Sequence, residues 1–284
     1  MQFFINNLPI PEPLLHIPQA PKRLLIRGTF PDISKYKFLT VVGSRNYTSY
    51  GEDACRTLIA GLKGYPVVIV SGLANGIDRI SHEAALDTGL ITVSFPGSGL
   101  DDTVLYPKAQ YQLAMQILHS GGALVSEFEN DFKSTLWSFI QRNRLMAGLS
   151  HATLVIEAKH KSGSRVTAKL ATDYNRDVLA VPGSIFSENS EATNELIRMG
   201  ATPITSSMDI LEALGFQITE SIPADLFSQC SPDEESVISL LTSAKPRGQL
   251  MREINIPTHK ANILLSQMEL KGLIKEIGGE IRRV

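Results

Sequence analysis

The chain is poor in what would cross-link it, anchor it or make it broadly basic. Cys55 and Cys230 are its only cysteines in 284 residues, far apart, so no disulfide framework is expected. No apolar run reaches the length of a membrane-spanning helix, and mean hydropathy is +0.02. The stretch from Met1 to Leu15 lacks a basic leader region and is broken by Pro9, Pro11 and Pro13, which excludes a signal peptide. A cytoplasmic protein with no membrane partner is the expectation. Charge of one sign is also lacking: 27 Lys+Arg against 29 Asp+Glu leave a net −2, which argues against diffuse nucleic-acid binding. A local basic pocket on a neutral protein stays open.

What is present is apolar residues, 43% of the chain, in short runs that end in small-residue turns. Phe38–Val42 is followed by Gly43-Ser44-Arg45, and Val67–Val70 by Ser71-Gly72-Leu73-Ala74-Asn75-Gly76. Ile91–Phe95 is followed by Gly97-Ser98-Gly99, and Thr153–Glu157 by Ser162-Gly163-Ser164. Leu124–Ser126 and Val178–Val181 read as two more strands. Helical patterns separate them, the first with Ser49 as N-cap and Glu52 as its capping-box partner. Strands without polar alternation, each followed by a helix, predict a parallel sheet covered on both faces. The fold class is α/β, a doubly wound, Rossmann-like sheet whose ligand crevice lies at the carboxyl ends of the strands.

The organisation expected is an N-terminal arm and edge strand over residues 1–37, a Rossmann-like domain over 38–215, a linker over 216–230, and a winged-helix domain over 231–284. From Lys245 to Val284 there are eight Lys/Arg against four Asp/Glu. Winged helices usually read duplex DNA with the third helix. Here that helix carries cations only at Lys260 and Lys271, so docking to a protein is weighed equally.

Several constellations point to a polyanion. Arg45 after a glycine turn offers a fork that a phosphate accepts bidentately, although an arginine ion-paired at the sheet edge would read the same. Arg142-Asn143-Arg144 follows Trp137 and Phe139, mixing charges for a backbone with rings for bases. On a helix Arg142 and Arg144 point apart, so at most one faces a ligand. Trp137 fits core packing better than stacking. Ser162-Gly163-Ser164 with Thr167 forms a phosphate-type turn without a P-loop lysine. Gly97-Ser98-Gly99 is half a dinucleotide fingerprint, with Asp102 where the third glycine belongs, so no NAD site is expected. Asp78 and His82, at i and i+4, lack a third metal ligand and read as an intrahelical hydrogen bond. No cofactor, metal or nucleophile triad is expected.

Taken together these motifs resemble the DprA/Smf family, the DNA-processing proteins of natural transformation. The resemblance rests on Gly43-Ser44-Arg45, Ser71-Gly72-Leu73-Ala74, Gly76-Ile77-Asp78 and His82, then Gly99-Leu100-Asp101 and Tyr106-Pro107. It continues through Phe139, Arg142-Asn143-Arg144, Gly148-Leu149-Ser150, Ser162-Gly163-Ser164, Thr167-Ala168, Pro182-Gly183, Asn194 and Gly200-Ala201. It implies an extended Rossmann fold, binding of incoming single-stranded DNA, a homodimer, and loading of the RecA recombinase against single-strand-binding protein, without catalysis. It also implies that Arg45 and Lys108 grip phosphates. A further cation is expected shortly before Phe139, where Lys133 is the nearest, and Asn75 stands where many members carry lysine. Many members begin with a helical domain, for which the forty or so residues ahead of Gly43 leave no room. Two other readings stay open: a phosphoribohydrolase-type enzyme, with Glu127 at the end of a strand, and a ligand-responsive transcription factor.

Overall fold

The computed structural model describes residues 3–217, 230–241, 245–254, 256–271, 273–277 and 279–283. The chain divides into two compact units, Met1–Ile218 and Thr219–Val284. Most of the expected linker lies outside the described residues.

The first unit is built on a sheet of strands β1 (Ile5–Leu8), β2 (Leu24–Gly28), β3 (Lys37–Val42), β4 (Val67–Ser71), β5 (Ile91–Ser94), β6 (Ala123–Ser126), β7 (Ala152–Val155), β8 (Asp177–Ala180) and β9 (Thr202–Pro203). Their spatial order is β1-β2-β6-β5-β4-β3-β7-β8-β9. From β6 through β9 every pairing is parallel, while β2 joins β6 antiparallel and β1 joins β2 antiparallel. The helices are α1 (Glu12–Leu15), α2 (Ser49–Ala60), α3 (Ile77–Thr88), α4 (Tyr111–His119), α5 (Leu136–Leu149), α6 (Gly163–Asp173), α7 (Glu191–Arg198) and α8 (Ser207–Ala213).

The strands lack alternation because both faces are covered. Leu39, Val41, Val67 and Ile69 enter one core, with Cys55, Ile59, Ile80 and Ile210 from α2, α3 and α8. Their neighbours Phe38, Val42, Val68 and Val70 enter another, with Leu14, Leu145, Ala168 and Leu196 from α1, α5, α6 and α7. A period of two sends successive residues to opposite faces, so a sheet with two cores needs apolar residues at both.

Two local expectations need revision. Thr48, not Ser49, caps α2: its side chain accepts from the Gly51 amide, and Glu157 in turn accepts from the Thr48 amide and hydroxyl at 2.9 and 2.6 Å. Glu52 pairs with Arg56 instead of closing a capping box. Residues 3–37 are not an arm with one edge strand. β2 is paired on both sides, and Leu14 and Ile17 are buried beside Gly148 of α5, close enough that a β-carbon there would collide with them.

The second unit contains α9 (Pro232–Leu240), α10 (Arg247–Glu253), α11 (Thr258–Leu270) and an antiparallel sheet of β10 (Lys245–Pro246), β12 (Glu280–Arg283) and β11 (Ile274–Ile277). Val237, Leu250, Leu265, Met268 and Ile281 form its core. Three of its cations are answered by its own acids: Lys245 by Glu253, Arg247 by Glu276, and Lys271 by Glu234.

Candidate nucleic-acid interface

The strand order runs back from β6 to β3 and then forward from β7, so the topology reverses between β3 and β7. In doubly wound sheets the crevice beyond the strand ends at that point receives the ligand. Here it is an open cleft of about 1260 Å³ between the turn after β3, helix α5 and the start of α6.

At its mouth Arg45 is exposed, its guanidinium carbon 5.9 Å from the centroid of the Phe139 ring. That separation suits a cation–π contact. The Tyr106 ring lies 5.7 Å from Phe139, and a smaller pocket opens between these side chains, Gly72, Ala74, Asn75 and Pro107. A β-carbon at Gly97 would strike the Phe139 ring, so glycine there lets the ring reach the mouth. Gly76 has φ +85°, and a side chain on it would collide with the Ser44 carbonyl and Arg45. This close approach lets the Ser44 carbonyl accept from the Ile77 amide, so the two turns brace each other. Lys108 is exposed just past Pro107 and bounds neither cavity. Among the described residues neither Arg45 nor Lys108 forms an ion pair.

The floor is polar but internally satisfied. Arg142, 5% exposed, donates to the Gly72 carbonyl at 2.5 Å and to the Phe95 carbonyl, tying the ends of β4 and β5 together. Burial pushes its pKa down to about 10, so it stays charged at neutral pH. Burial also lifts the Asp78 carboxyl above its ordinary value, while Arg142, the Ala74 amide, Arg45 and the Gly72 amide pull it back. Those amides flank Leu73, a buried residue held at φ +62°, so Asp78 stabilises a strained turn. His82 does not pair with Asp78 as expected; its Nδ1 lies 2.7 Å from the Thr92 hydroxyl, and burial with Arg142 drives its pKa down to about 3.

Ser162 caps α6, its hydroxyl accepting from the Arg165 amide. Ser164 donates to the Gly43 carbonyl at 2.8 Å and Thr167 to the Gly163 carbonyl at 3.1 Å. The hydroxyls therefore hold the turns in place, and what faces the cleft is the amide end of the helix.

A family model described as DNA recombination-mediator protein A matches residues 3–215 of this chain. The chain belongs to that family. Protein Smf of Escherichia coli is 36% identical over 281 residues, covering 96% of this chain and 74% of that one. The DNA processing protein DprA of Streptococcus pneumoniae is 39% identical over 206 residues, 72% of this chain and 71% of its own. Its X-ray structure superposes with a TM-score of 0.66 at 38% identity, covering 73% of this chain and 71% of that one. DNA processing protein A of Helicobacter pylori, whose structure describes a single-stranded DNA binding mode, gives 0.67 at 31% identity, over 75% of this chain and 96% of its own.

The family motif does not act as one surface. Gly43, Ser44, Arg45, Asn75, Phe139, Asn143, Ser162, Gly163, Ser164 and Thr167 all border one or other cavity. Of the two arginines of that motif, Arg142 also borders the larger cleft and Arg144 does not. Arg142 is engaged with carbonyls, and Arg144, 6% exposed, is ion-paired with Glu127 and borders neither cavity. Burial raises the Glu127 carboxyl despite that arginine. Lys133 is exposed but borders neither cavity, and Asn75 Oδ1 already accepts from Gln110 at 2.9 Å. Trp137 is 51% exposed, edge-on to Phe128 and Phe132, rather than a core residue. The reading of the sequence missed Lys159, His160, Lys161, Arg165 and Lys169, all bordering the cleft. The signal was visible: three basic-type residues directly before Ser162, and two cations four apart at the head of α6.

Proposed function

We propose that the cleft binds single-stranded DNA without sequence preference and that the protein acts as a recombination mediator on that strand. The observation that carries this reading is Arg45 set over Phe139 at the cleft mouth, exposed and in no ion pair among the described residues. A ring stacks on any base, and a free guanidinium holds any phosphate. Lys108, Lys161 and Lys169, exposed and without ion pairs among the described residues, support a path for the backbone. The single-stranded DNA binding mode of the Helicobacter pylori relative supports it further. Binding by a few local cations suits a chain whose net charge is −2.

The family resemblance extends the reading to a homodimer that displaces single-strand-binding protein and loads RecA onto the strand. The protein binds its strand and does not transform it; Glu127, the carboxylate a hydrolase would use, is ion-paired inside the fold. Residues 231–284 act as a winged-helix module that docks to a protein. The exposed face of α11 supports this with neutral Asn262, Ile263, Ser266 and Gln267.

The test is a mobility-shift titration of single-stranded against duplex DNA at two salt concentrations. Arg45→Ala weakens binding to single strands of every sequence, and removal of residues 231–284 leaves it largely intact. If truncation abolishes binding and Arg45→Ala does not change it, the site lies in the other unit.

A further inference from the structure

The basic residues that border the cleft from Lys159 to Lys169 fall into two classes. Lys161 and Lys169 are exposed and form no ion pair among the described residues. Lys159, His160 and Arg165 are instead held by two carboxylates. Lys159 Nζ lies 2.6 Å from Glu188 Oε2. Arg165 donates to Glu195 Oε1 at 2.9 Å, and His160 Nδ1 lies 3.3 Å from the other oxygen of the same carboxylate. Lys159 holds Glu188 below its ordinary pKa and Arg165 does the same for Glu195, so both acids are charged at neutral pH. Both belong to the segment after β8, and that segment is fastened to the cleft wall. Asn189 donates its side-chain amide to the Asn46 carbonyl at 2.9 Å, and the Ala158 amide, just before Lys159, donates to the Asn189 carbonyl at 2.7 Å. Asn194 in α7 exchanges two hydrogen bonds with the Gly183 backbone. The acids are therefore presented by backbone bonded beside Arg45 and Lys159. The pairs themselves are weak, since Lys159 and Glu188 are exposed and Arg165 is only half-buried. A phosphate, the stronger partner for a guanidinium or ammonium, displaces such a carboxylate readily.

We infer that Glu188 and Glu195 are built-in competitors of the strand's phosphates: each occupies a cleft cation in the free protein, and together they hold affinity for the strand below what those cations alone give. The inference rests on the function proposed above. A strand bound here exchanges a protein ion pair for a phosphate contact instead of gaining a contact outright, and the displaced carboxylate stays nearby as a like charge. Release is correspondingly easier, which suits a mediator that must give its strand up.

The experiment measures binding of the full chain to a fluorescent oligo-dT strand by anisotropy at two salt concentrations. Glu188→Gln and Glu195→Gln keep the side-chain shape and remove the charge. Each raises affinity by about twofold to fivefold, the equilibrium factor of one exposed ion pair, and steepens the log–log salt slope by up to about 0.7, the share of one phosphate contact. Glu83→Gln is the control: it changes the net charge equally, but its partners Arg56 and Arg79 border neither cavity, so affinity stays the same. In an Arg165→Ala background the gain from Glu195→Gln shrinks, because the cation it frees is gone. Should that gain persist in full, Glu195 acts through its field alone and the competition is refuted. Unchanged or lowered affinity in a Gln variant refutes the role of that acid, and an equal rise with Glu83→Gln refutes both. In each of these cases Arg45→Ala still tests the mouth. If the wild-type chain does not bind the strand, the function proposed above fails and this inference with it.

Discussion

Arg45 and Arg144 carry the same side chain and stand within one family motif set, yet they do opposite things. Arg45 follows a β-strand on a turn, is exposed, and touches a ring that itself borders open space. Arg144 lies within a helix, faces inward and is held by Glu127. The difference is depth. A guanidinium at the rim is available to a ligand because water, not protein, solvates it. A guanidinium in the interior must find its counter-charge in the fold, because an unpaired buried charge is costly. Phosphate affinity therefore cannot be read from arginine content, only from which arginines lack internal partners.

This contrast is broken most severely at the interior site. Glu127→Ala strands the Arg144 charge and costs about 3–5 kcal/mol of stability, read as a lower midpoint in urea unfolding. A variant that lost DNA affinity but kept its midpoint would place Arg144 at the surface in solution. Arg45→Ala gives the reverse pattern: an unchanged midpoint, and a loss of about 1.5–3 kcal/mol in single-strand binding, tenfold or more. Its salt dependence flattens by about 0.7 in log–log slope, the share of one phosphate contact on a single strand. Lys108→Ala, at a more solvated site, lowers affinity by about fivefold or less.

A further test sharpens the contrast through pH. His82 is buried near Arg142 with its pKa brought to about 3 from 6.5. Below pH 6.5 the unfolded chain takes up a proton that the folded chain refuses, so stability falls from there down to about pH 3. His82→Asn removes part of that slope in thermal melts across the same window. If the slope is identical in the variant, His82 is not its source.

Much of this was legible in the sequence. Val67-Val68-Ile69-Val70 has no alternation, and that alone implied a sheet covered on both sides. Glycine turns after β3, β4 and β5 marked the functional edge. Arg142 and Arg144 were harder because a basic residue's role depends on partners distant in sequence. The Gly72 and Phe95 carbonyls and Glu127 lie 70, 47 and 17 residues away. Thr48 escaped notice as a cap because Glu157, which secures it, is 109 residues downstream. The first 37 residues were misread because their prolines look like an open arm, while their apolar positions answer to α5 and β6.

That N-terminal segment has a practical consequence. Removing residues 1–37 would leave the motif-bearing stretch intact on paper but strip β2 from β6 and uncover the face of α5 where Leu14 and Ile17 sit. A bare strand edge beside fresh apolar surface invites pairing between molecules, so such a fragment is expected to aggregate. Its failure in a strand-binding assay would report lost solubility, and would say nothing about Arg45.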